Sequence, residues 1–156
     1  MRLFTLIEIL IIGAIITLIS NLGLASYNYF SQQLILKSEA YELVTTLELL
    51  RKKAISSDKG VGFSCNNFAG YRLNLNSNNY NWGIICNNNY IQIKTKNLPF
   101  SIIINNPQQI IFTPLKISFS TTLSIPLKNT SVNKCLIINI SQNGIINLNE
   151  NFQNCP

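Results

Sequence analysis

From Phe4 to Leu24 the chain has 21 residues with a single charge, Glu8, inside an almost unbroken apolar run. A helix crosses a bilayer with about 20 predominantly apolar residues, so this stretch is long enough to span one. A carboxylate near the centre of such a span costs roughly 2.5–3.5 kcal/mol and less near an end, so Glu8 calls for a function. Arg2 ahead of the run favours an N-terminus on the cytoplasmic side and export of everything that follows.

The remainder of the 156 residues suffices for one domain with one core. Twelve Lys/Arg against six Asp/Glu give a net charge of +6. The 23 asparagines make the expected surface polar but uncharged. The absence of histidine removes histidine-based catalysis and histidine-ligated metals. With one aspartate and no clustered acids beyond the helix, no acid/base pair presents itself, so no enzyme is expected and no cofactor is implied. Cys65, Cys86, Cys135 and Cys155 form no CxxC metal pair, and their even number suits an oxidising compartment such as a periplasm. Three pairings are open to them. We favour Cys65 with Cys86 and Cys135 with Cys155, because each joins neighbouring hairpin elements and the second ties down the C-terminus.

Beyond the apolar run, Tyr27 to Ser56 contains neither Pro nor Gly and places Ala40, Leu43, Val44, Leu47, Leu50 and Ala54 at spacings of three and four, one face of a helix. Lys37, Glu39, Glu42, Glu48 and Lys52 lie opposite, and Arg51, Lys52 and Lys53 suit the negative end of the helix dipole. The expectation is one helix from about Phe4 to about Ser56. Its first half is transmembrane and its second half amphipathic. Helix signals stop at Asp58-Lys59-Gly60, and short β-rich runs follow: Val61–Cys65, Tyr71–Leu75, Asn81–Cys86, Tyr90–Lys94, Phe100–Ile104, Gln109–Phe112, Lys116–Phe119, Thr122–Ile125, Cys135–Ile140 and Ile145–Leu148. With no second helical run to make crossovers, the fold class is α+β, a long helix packed on an antiparallel β domain of two small sheets.

Three readings fit the first 25 residues. One is a signal peptide, with Arg2 as n-region and Gly23-Leu24-Ala25 as cleavage site before Ser26, although the run exceeds the usual apolar core and Glu8 has no purpose there. A plain signal anchor also ignores Glu8. In the third, the stretch Phe4-Thr5-Leu6-Ile7-Glu8, followed by the apolar run and an amphipathic helix, resembles the N-terminus of type IV pilins and of the pseudopilins of type II secretion. In that family a prepilin peptidase cuts before the Phe, the new N-terminus is methylated, and the Glu guides assembly. The resemblance therefore implies cleavage between Leu3 and Phe4, N-methylation of Phe4 and an assembly role for Glu8. The family has Gly before the cut where this chain has Leu3. A carboxylate one turn from the freed amino group, in its own or an adjacent subunit, compensates the positive helix start and sets register.

Residues 43–65 and 135–155 are similar to the helix end and closing hairpin of the FimT/GspH-type minor pilins, which join the H-type pseudopilin and the T-type minor pilin. The resemblance implies a pilin-like fold with a short leader at 1–3, a transmembrane helix half at 4–24, an amphipathic half at 25–56 and a periplasmic β domain at 57–156. It implies a single-pass inner-membrane protein that enters a pilus or pseudopilus. Its partners would be other pilins or pseudopilins, the prepilin peptidase, the inner-membrane assembly platform and, through 4–24, the inner membrane. T-type members are linked to DNA uptake in natural transformation through a Gly-Arg-x-Arg motif in the closing hairpin, where this chain reads Gly144-Ile145-Ile146-Asn147. Without guanidinium groups that loop makes no bidentate phosphate contacts, and Asn143-Gly144 suits a tight turn. The basic balance after Ser57 still favours polyanions, and Arg72, Lys94, Lys96 and Lys134 are the candidate DNA contacts. Tyr71-Arg72 and Tyr90 with Lys94 and Lys96 interleave aromatics and bases as single-strand binders do.

Overall fold

No proline occurs before Pro99, and α1 runs unbroken over Leu6–Ile55. The computed structural model describes residues 6–60, 65–114 and 119–155, with the side chains of 19–23 and 25 outside the description. Leu36, Ala40, Leu43, Leu47, Leu50 and Ala54 of α1 are fully buried. Their alternating spacing of four and three keeps one stripe facing the β domain. Each leucine so placed contributes about 1.5–3 kcal/mol of apolar burial. Val44, at the margin of the stripe, is half-buried.

The helix stops by reversing direction. Ser57 takes a left-handed φ of 53°, Ser57 N–H donates to Ala54 C=O, and Asp58 N–H donates to Lys53 C=O at 3.0 Å. This is a Schellman closure with serine where glycine is usual. Tyr71 Oη donates to Asp58 C=O at 2.6 Å and fixes the helix end to the first strand.

Eight strands follow: β1 Phe68–Leu75, β2 Asn79–Cys86, β3 Asn89–Asn97, β4 Ile102–Ile104, β5 Gln108–Phe112, β6 Leu123–Asn129, β7 Lys134–Ile140 and β8 Ile146–Gln153. They form two four-stranded antiparallel sheets, ordered β3-β2-β1-β5 and β4-β6-β7-β8. Alternation puts Tyr71, Leu73 and Leu75 of β1, and Ile125 and Leu127 of β6, in the core. α1 packs on strands of both sheets. Disulfides join Cys65 to Cys86, Cα atoms 5.7 Å apart, and Cys135 to Cys155, 5.2 Å apart. Each loop closure removes about 3 kcal/mol of unfolded-chain entropy in the loop-closure model. Of the expected strands, residues 61–64 and 116–118 lie outside the described residues, and Phe119 is half-buried against Phe112 without joining a strand.

The membrane expectation is overturned. Among the described residues no helix is long and apolar enough to cross a membrane. Polar composition is the physical reason among the described side chains. From Ser26 onward Asn28, Ser31, Gln32 and Gln33 dilute the apolar character. The fold class drawn from sequence, with a transmembrane first half of the helix, is corrected accordingly. The placement as a single-pass inner-membrane protein with a periplasmic C-terminal domain falls with it.

Candidate functional site

Charge is absent between Glu8 and Lys37, and the chain uses that interval differently from the rest of α1. Among the described residues, fourteen large apolar side chains from Leu6 to Leu34 are exposed, including Ile9, Ile12, Ile16, Tyr27 and Phe30. Apolar patches on folded monomers seldom exceed a few hundred Å², and larger ones mark interaction surfaces. Glu8 sits in the first turn of α1 on this same exposed section. Leu3 and Phe4, the expected cleavage and methylation site, lie outside the described residues.

The helix leaves the β domain at a defined anchor. Asn129, fully buried at the end of β6, donates through Nδ2 to Gln32 C=O and Gln32 Oε1, both at 3.0 Å. Its Oδ1 accepts from Ser131 N–H at 2.9 Å, so the same side chain shapes the β6–β7 turn. Two ion-pair groups hold the next turns. Lys37 Nζ donates to Glu150 Oε2 at 2.7 Å and Tyr41 Oη to Glu150 Oε1 at 2.6 Å, tying α1 to β8. The hydrogen bond and charge of Lys37, with the bond from Tyr41, hold the Glu150 carboxyl below its ordinary value. On the other side Lys96 Nζ of β3 donates to Glu42 Oε2 at 2.7 Å and lies 3.8 Å from Glu39 Oε2. Burial pushes the Glu39 carboxyl up, while the Glu42 bond raises Lys96.

The structure does not bring the four candidate DNA contacts together. Lys96 faces the helix and is engaged by its carboxylates. Lys94 pairs across the strands with Trp82, on that same side of the sheet. Arg72 lies on the opposite, outer face, its guanidinium 5.2 Å from the centre of the Tyr90 ring. Lys134 is in the second sheet and donates to Asn154 Oδ1 at 3.1 Å. The closing hairpin turns through Gly144, whose φ is 73° and whose N–H donates to Ser141 C=O at 2.8 Å. Among the described residues no three His, Cys, Asp or Glu side chains could hold a metal ion together.

Sequence reading missed Gln32, Asn129 and Glu150. The first two are amides among many, and Glu150 meets Lys37 across 113 residues of chain, a separation that leaves no local signal. The chain matches no family model, no curated protein and no solved structure.

Proposed function

We propose that the chain is a noncatalytic subunit of a type IV pilus or type II secretion pseudopilus that assembles through its N-terminal helix. The observation that carries this reading is the half of α1 that leaves the domain at Gln32 uncharged up to Glu8, with its large apolar side chains exposed. Water is a poor environment for that surface, and an apolar helix of another subunit covers it without leaving polar groups unpaired. A section of this kind, about 40 Å long at 1.5 Å per residue, suits lengthwise helix packing in a fibre. Glu8 supplies the charge that fixes register against a positive helix start of a neighbour. The partners are other pilins or pseudopilins, together with the prepilin peptidase and the assembly platform that handle such subunits. The β domain is presented outward, and the mechanism needs no catalytic pocket.

The test is recovery of the chain in sheared fibres from the cell that makes it. Glu8→Ala should lower that recovery at least tenfold while both disulfides still form. Native-like recovery of the variant, or no recovery of the native chain, contradicts the reading.

A further inference from the structure

We propose that the outer face of the β3-β2-β1-β5 sheet carries a binding site for a neutral saccharide, independent of the assembly role. Antiparallel register places Gln109 of β5 beside Asn74 of β1, and Asn74 beside Asn81 of β2, so three carboxamides form one row across three strands. A depression of about 490 Å³ opens over this row, lined by Asn74, Asn81, Gln108 and Gln109 with Leu75 and Pro107. That volume is within the range of about 300–1,000 Å³ usual for small-ligand sites.

The lining selects by chemistry. It contains no charged side chain, so it offers an anion no cation and a cation no carboxylate. Each carboxamide holds a donor and an acceptor side by side, the pattern that a pair of adjacent hydroxyls on a pyranose complements. Pro107, exposed at the rim, gives an apolar surface against which the C–H face of such a ring can lie. The row is also pre-ordered. Asn81 Oδ1 accepts from Asn74 Nδ2 and from Tyr90 Oη, both at 2.8 Å. Tyr90 reaches Asn81 from its own place opposite Ile85, past Gly83, a position whose close approach to Ile91 C=O excludes a Cβ. Asn74 Oδ1 is buried without a hydrogen-bond partner. Arg72, the candidate DNA contact on this face, is stacked over Tyr90 and does not line the depression.

The test is an NMR titration of the isotope-labelled full chain, held in detergent micelles, with maltotriose, cellotriose, chitotriose and a short single-stranded oligodeoxynucleotide. The expected result is saturable movement of the Asn74, Asn81 and Gln109 side-chain amide signals with at least one trisaccharide. Its midpoint should be independent of salt, and Gln109→Ala, an exposed substitution, should weaken it about tenfold. The proposal is overturned if no trisaccharide gives saturable movement, or if Gln109→Ala binds as the native chain does. It is also overturned if only the oligodeoxynucleotide moves these signals, in a salt-dependent way.

Discussion

Asn129 shows how much one side chain can carry at the point where the helix leaves the domain. Its amide satisfies four groups, two on Gln32 and two in the β6–β7 turn. Asn129→Ala leaves several of them unpaired in a part-buried place, and urea unfolding should show a loss of about 1–3 kcal/mol. As one of 23 asparagines it was invisible in the sequence, because nothing local separates an amide that anchors from one that faces water. Ser57 works in the opposite sense. A non-glycine residue held left-handed costs about 1–2 kcal/mol, partly offset by the greater unfolded-state freedom of glycine. Ser57→Gly should therefore raise stability by about 0.5–1 kcal/mol in the same measurement. The end of the helix was legible only to within a few residues. Asp58-Lys59-Gly60 advertised a stop, but the residue that reverses the chain is Ser57.

Among the elements, α1 is held to the sheets by a buried stripe and by ion pairs at both flanks. The stripe was readable because spacings of three and four allow one geometry, and Ala40, Leu43, Leu47, Leu50 and Ala54 are all buried. The ion pairs were not, since they join residues set by strand order, and no local pattern places β5 rather than β3 beside β1. Their pH dependence differs in sign. Glu150 has its folded value lowered below 4.5, so its contribution is fully present above that value and is lost as pH falls through the lower folded one. Glu39 has its folded value raised above 4.5, so it favours the folded state most at acid pH and loses that contribution as pH rises through the raised value. Thermal midpoints of Glu150→Gln should lie below those of the native chain at neutral pH. The difference should close as pH drops below 4.5.

For the whole molecule, the disulfide pairs follow the hairpins, so chain spacing was a sound guide to which cysteines meet. Counting apolar residues from Phe4 to Leu24 was a poorer guide, because composition by itself does not establish a membrane span, and the described helix lacks one. What the fold does display is a helix buried on one face from Leu36 onward and exposed in its apolar section before it. In the proposed fibre, helices of other subunits cover that section. Site-specific photocrosslinking tests this most directly, with Ile12 replaced by benzoylphenylalanine in chains assembled in the producing cell. Chains recovered in fibres should carry a covalent adduct to the N-terminal helix of another subunit. Fibre-borne chains whose position 12 forms no adduct with any subunit helix would contradict it.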